Sequence, residues 1–180
     1  MVLPKRDPRL RVAREQLESQ INRSRLIVVL LGSAGSGLDE RRDIARVLNA
    51  RGVSALVPED DFPADVSPSI VERAILSHAD VDLVFVSVRS WGTATEFGQF
   101  HAEPTIARKL RVLVDPDHHP LHNPKHGYLE DLYLTHLAAY GHVYAVDSGR
   151  FVPVPSTKSL VTLLAETTRQ LKFFQQDLIK

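Results

Sequence analysis

The chain has 180 residues, 43% of them apolar and 24% charged, with Lys+Arg and Asp+Glu balanced at 22 each. That composition predicts one globular domain with a real core and excludes a disordered chain; zero net charge argues against generic nucleic-acid binding, and the absence of cysteine excludes disulfides, thiolate metal sites and cysteine nucleophiles. No apolar run approaches the ~20 residues of a membrane span, and the first residues lack the apolar core of a signal peptide, so no membrane partner and a cytoplasmic location are expected.

Residues 8–22 read as a helix, with Leu10, Val12, Leu17 and Ile21 as its inward positions. Residues 1–24 form an N-terminal helical extension in this reading, and residues 25–180 a single domain. Residues 25–31 are Arg25 followed by a continuous apolar run to Leu31, the signature of a strand buried on both faces of a parallel sheet. A loop, Gly32-Ser33-Ala34-Gly35-Ser36-Gly37, follows it. Residues 39–51 predict a helix with Ile44, Val47 and Leu48 inward and Gly52 as its stop. Residues 53–57 read as a short strand, and 58–63 as an acidic loop. Ser67-Pro68 opens a helix to residue 77, cap residue first and proline at the first helical position. Residues 81–88 are the third strand, 93–108 the next helix and 110–114 the fourth strand. A loop rich in Pro and His spans 115–125. Residues 128–139 read as helix, 142–146 as strand and 156–176 as the closing helix.

Alternating strands and helices predict an α/β fold: a five-stranded, mainly parallel sheet with helices on both faces, a flavodoxin-like or Rossmann-like three-layer sandwich. The simplest strand order is 2-1-3-4-5, which places a ligand crevice between strands 1 and 3. Two segments meet there. The Gly-rich loop after strand 1 (Gly32, Ser33, Gly35, Ser36) permits close backbone approach to a phosphate or ribose, although its spacing is neither a dinucleotide fingerprint nor a P-loop and a plain strand-to-helix turn explains it too. After strand 3 come Ser90, Trp91, Gly92, Thr93 and Glu96. A carboxylate one turn into that helix suits attack on an anomeric carbon, or stabilisation of an oxocarbenium-like state. Thr93-x-x-Glu96 is equally a capping-box spacing, as is Ser69-x-x-Glu72, where capping is the preferred reading.

Other residues carry weaker signals. Trp91 and Phe62 are possible walls for a base. In the acidic loop of Glu59, Asp60 and Asp61, a carboxylate such as Asp61 can bond ribose hydroxyls, with a solvated turn as the plainer reading. Asp80 and Asp82 lie at the far end of the sheet and read as structural. His118, His119, His122 and His126 cluster without a metal-site spacing, so no metal is expected. His101 is about 140° around its helix from Glu96 and reads as a packing residue. Phe173-Phe174, with Leu171 and Leu178, suits docking on the sheet or on another subunit.

The segment 77–86 followed by Gly92-Thr93-Ala94-Thr95-Glu96-Phe97-Gly98 resembles nucleoside 2-deoxyribosyltransferases: an aspartate-closed helix, an apolar strand, then Gly-Thr-x-x-Glu-x-Gly. The resemblance covers residues 25–115 and is dense only around this motif. It implies that Glu96 is a nucleophile on the sugar's anomeric carbon, framed by Gly92, Thr93 and Gly98. The family's aspartate two residues before the glycine is Ser90 here. The Gly-Ser-rich first loop is similar to that of lonely-guy phosphoribohydrolases, without their Pro-Gly-Gly lead-in. Ser90-Trp91 ahead of Glu96 resembles TIR-type NAD hydrolases, with one extra intervening residue. All three families break an N-glycosidic bond with a glutamate in this place. The implied partner is a small-molecule nucleoside, nucleotide or NAD, with no cofactor. A homo-oligomer that lends a site residue from beyond Tyr140 is a further implication. A nucleotide sensor without turnover, or a scaffold domain, uses the same fold without the chemistry.

Overall fold

The computed structural model describes residues 8–124, 127–147 and 154–178. Strands β1 (Ile27–Leu31), β2 (Ser54–Leu56), β3 (Leu83–Ser87), β4 (Leu110–Val114) and β5 (Val143–Ala145) form one sheet in the order β2-β1-β3-β4-β5, every pair parallel. The expected strand order is therefore observed. β1 sits centrally because Ile27-Val-Val-Leu-Leu31 has no polar side chain to offer either face, and all five residues are buried. Its side chains alternate. Val28 and Leu30 join Phe85 and Leu113 on one side; Val29 and Leu31 join Val84, Val86 and Val112 on the other.

Helices α2 (Ser36–Ala50) and α8 (Thr157–Leu178) cover the first face. Helices α4 (Pro68–Ser77), α5 (Trp91–His101), α6 (Pro104–Ala107) and α7 (Tyr128–Tyr140) cover the second. The result is a three-layer sandwich. Helix α1 (Pro8–Arg23) packs on α8 rather than on the sheet. Leu10, Val12 and Leu17 are consequently 69%, 48% and 39% exposed, which corrects their expected inward placement; only Ile21 is partly covered. None of the described helices is long and apolar enough to cross a membrane.

Three local differences from the sequence reading have plain causes. The acidic loop is a turn of helix, α3 (Pro58–Asp61), because Pro58 sits at its first position and three carboxylates favour a helix amino end. The expected helix over 93–108 breaks in two at Glu103, since the residue before Pro104 is driven out of the helical region. The loop after β4 carries a 3-10 turn, Pro116–His118, opened by Asp115.

Candidate functional site

The connection after β1 is organised by a residue the sequence reading passed over. Arg41 of α2 is 5% exposed and uses all five of its N–H donors. Nε donates to the Gly37 carbonyl at 3.3 Å, Nη1 to the Leu30 carbonyl at 3.3 Å, and Nη2 to the Ser33 carbonyl at 2.9 Å. The remaining two donors form a bidentate pair with Glu59 of α3, both at 2.7 Å. Gly32 is glycine because of this packing: a Cβ there would meet Arg41 Nε at 3.1 Å and Cδ at 3.2 Å. Gly35, at φ +65°, is the N-cap of α2, and exposed Ser36 opens that helix. Residue 41 shares a helical face with Ile44, Ala45 and Leu48, all buried. A charge on that inward face was the available signal.

The connection after β3 is closed by a different cap from the one its spacing suggests. Ser90 is the N-cap of α5. Its Oγ accepts from Thr93 N, while Thr93 Oγ1 accepts from the backbone N–H groups of Ser90 and Arg89. The capping box therefore joins Ser90 to Thr93, not Thr93 to Glu96. Thr93 is 2% exposed and its hydroxyl is fully engaged within the turn. Beside Gly92 there is open space, the nearest atom to an added Cβ being Ser90 Oγ at 3.8 Å. The capping box expected from Ser69 to Glu72 is also absent; Ser69 bonds to Ser67 instead.

Both glutamates are thereby released. Among the described residues, Glu96 takes part in no hydrogen bond and no ion pair, though it is partly buried. Its pKa is raised to about 7, first by burial, then by the charge of Glu72 on α4, with Glu59 adding and Arg41 opposing. Glu72 is raised by burial and by Glu59. Burial would raise Glu59 as well, but its bonds to Arg41 outweigh that and hold it below the ordinary carboxylate range. Four helices thus bring one arginine and three carboxylates to the carboxyl edge of β1 and β3, where the strand order reverses.

Glu59 and Glu72 wall a 360 Å³ cavity together with Phe62, Pro58, Pro68 and Val71. Phe62 is partly buried against the second core. Asp61, in contrast, spends its carboxylate on the Val57 N–H at 2.7 Å, a helix-cap role. Trp91 does not face this cavity. It is 91% exposed and borders a separate 630 Å³ hollow with Tyr133. Five residues separate Trp91 from Glu96, about 140° of helix, so Phe62 and Trp91 do not flank one ligand. Ser33 and Ser36 also border an open hollow with Glu40, Arg89 and Asp147, where Arg89 is paired to both acids.

Three histidines have local partners. His119 Nε2 lies 3.1 Å from the Val143 carbonyl, and its Nδ1 accepts from Leu121 N. His101 Nδ1 lies 3.0 Å from His136 Nδ1 at the opposite end of the sheet. Among the described residues, no group of three His, Asp or Glu is placed to hold a metal ion; His126 lies outside them. Asp82 accepts from Ile27 N and pairs with Lys172, a structural role. Leu171 and Phe174 are exposed on α8, and the side chain of Leu178 lies outside the described residues. A scan against models of known protein families and a search of curated proteins find no match to this chain.

Proposed function

We propose that the chain cleaves or transfers at the N-glycosidic bond of a nucleoside, nucleotide or NAD, with Glu96 as nucleophile or oxocarbenium stabiliser. One observation carries the reading: a partly buried carboxylate at the topological switch point, released from capping, free of any described partner and raised to about 7. At neutral pH such a group is divided between its two forms. In its ionised form it attacks the anomeric carbon: the new C–O bond forms as the C–N bond breaks, and the electron pair leaves with the base; a purine or pyrimidine then takes up a proton, whereas nicotinamide leaves NAD as a neutral ring without one. Water or a second base then displaces the glutamate. The positive charge that develops on the sugar ring is welcome among Glu59, Glu72 and Glu96, of which only Glu59 is paired with an arginine among the described residues. Phe62 supplies an apolar wall beside Glu59 and Glu72, in a cavity whose lining does not include Glu96. Arg41 is a positioning residue, since its donors are spent on the loop carbonyls and on Glu59.

A second reading, a nucleotide sensor without turnover, is favoured by the placement of Trp91. Trp91, 91% exposed, does not close over Glu96 as an aromatic lid. The two readings separate in one experiment. The protein, beside Glu96→Gln, is incubated with NAD and a panel of nucleosides and nucleoside monophosphates, and free base is measured by chromatography. Base released by the wild type alone supports the enzyme. Compounds bound and recovered intact support the sensor.

A further inference from the structure

The 630 Å³ hollow on the other side of α5 is built as a ligand site in its own right. It lies at the carboxyl ends of β3 and β4, against the start of α7. Its volume is in the range of small-molecule pockets. Tyr133 forms part of its wall. That residue is 1% exposed, its ring stacks on Phe97 at 5.5 Å, and its hydroxyl bonds to no described residue. That hydroxyl is not sealed from solvent, so a ligand in the hollow can supply the partner it lacks among the described residues. Burial and the charge of Glu130 push the phenol up, keeping it a neutral O–H donor. Tyr133 and Glu130 line the same hollow.

Glu130 is held in place. Its Oε1 lies 3.7 Å from His118 Nδ1, and its Oε2 fills the space a Cβ would take at Gly127, 2.6 Å away. Asp117 adds a second carboxylate to the wall and Leu129 an apolar patch. Trp91 stands at the rim with its indole uncovered. The Arg89 guanidinium is also on the wall, but its charge is paired with Glu40 and Asp147, so the remaining groups favour one ligand chemistry. Carboxylates accept from N–H donors and repel anions. A neutral phenol donates to a ring nitrogen. An open indole takes a planar π-system.

We propose that this hollow binds an amino-substituted heteroaromatic base through its amidine edge. The exocyclic N–H donates to Glu130, the adjacent ring nitrogen accepts from Tyr133 Oη–H, and the ring stacks on Trp91. The site is separate from Glu96 and stands whether or not Glu96 is catalytic.

Trp91 is the single tryptophan of the chain, so its fluorescence reports on this hollow alone. The probes are adenine and hypoxanthine, free bases that offer no glycosidic bond to cleave and differ in the amidine edge. Adenine is expected to change the emission saturably, and hypoxanthine to bind at least about tenfold more weakly, because it leaves the carboxylate and phenol mispaired. Tyr133→Phe and Glu130→Gln are each expected to weaken adenine by about 5- to 30-fold, with unchanged far-UV circular dichroism. Glu96→Gln should titrate like the wild type, while it removes base release in the assay above. No saturable change with adenine up to millimolar concentration overturns the site. Equal titration of adenine by wild type, Tyr133→Phe and Glu130→Gln also overturns it, since that is mere stacking on an exposed indole.

Discussion

Two charged side chains meet at the carboxyl edge of β1 and β3, and the fold treats them oppositely. Arg41 is nearly inaccessible and every donor it owns is used. Glu96 is partly buried and has no partner among the described residues. Arg41 holds a loop and a neighbouring helix; nothing in the described structure employs Glu96. A carboxylate desolvated without compensation costs stability, and such a cost is expected where a group is reserved for chemistry. The contrast gives the first connection a structural role and leaves Glu96 of the third free for the reaction proposed above.

Breaking the contrast on the Glu96 side should give the largest effect. Glu96→Gln keeps the shape and removes the nucleophile; base release is expected to fall by about 10³-fold or more, equivalent to ~4 kcal/mol in the barrier. On the Arg41 side the effect should appear in stability. Arg41→Met leaves the Leu30 and Ser33 carbonyls without their donor and Glu59 without its pair, and is expected to cost ~2–3 kcal/mol by urea denaturation. Glu59 is 39% exposed at its side chain, so water offsets part of that loss.

Smaller effects sharpen the comparison. A carboxyl whose folded pKa is raised binds more protons in the folded state between its unfolded value, 4.5, and about 7. Stability therefore falls as pH rises through that window, and the loss is absent below it. Glu96→Gln should be more stable than the wild type by ~1–2 kcal/mol at pH 8, after discounting for partial exposure, and equal to it near pH 4.5. The smallest expected change comes from Glu72→Gln. Removing that like charge should lower the Glu96 midpoint by about half a unit to one unit, read as an acid-ward shift of the rising limb of the kcat/KM profile.

Much of the fold was legible because it rests on patterns that span few residues. Apolar runs such as 26–31 announce strands buried on both faces, and their alternation with helices predicts a parallel sheet; the strand order is not readable from that alternation, and the simplest order for five strands is the one observed. Glu96 was legible by its place after the third strand. The Arg41–Glu59 pair was not, because the two residues are 18 apart and meet only when α3 forms where a loop was expected. Spacing alone left the capping box open, because a serine three residues before Thr93 and a glutamate three residues after it are both at capping distance; buried Thr93 turns its hydroxyl to Ser90. The separation of Trp91 from Glu96 was within reach. The helical rotation that set His101 apart from Glu96 applies unchanged to a residue five positions earlier.

The most direct test of the contrast is a titration of the Glu96 side-chain carboxyl by carbon-detected NMR, its resonance identified by its absence in Glu96→Gln. A midpoint near 7, moving down in Glu72→Gln, is the predicted result. A midpoint at the ordinary 4.5, unmoved by Glu72→Gln, would contradict it and return Glu96 to the solvated surface of α5.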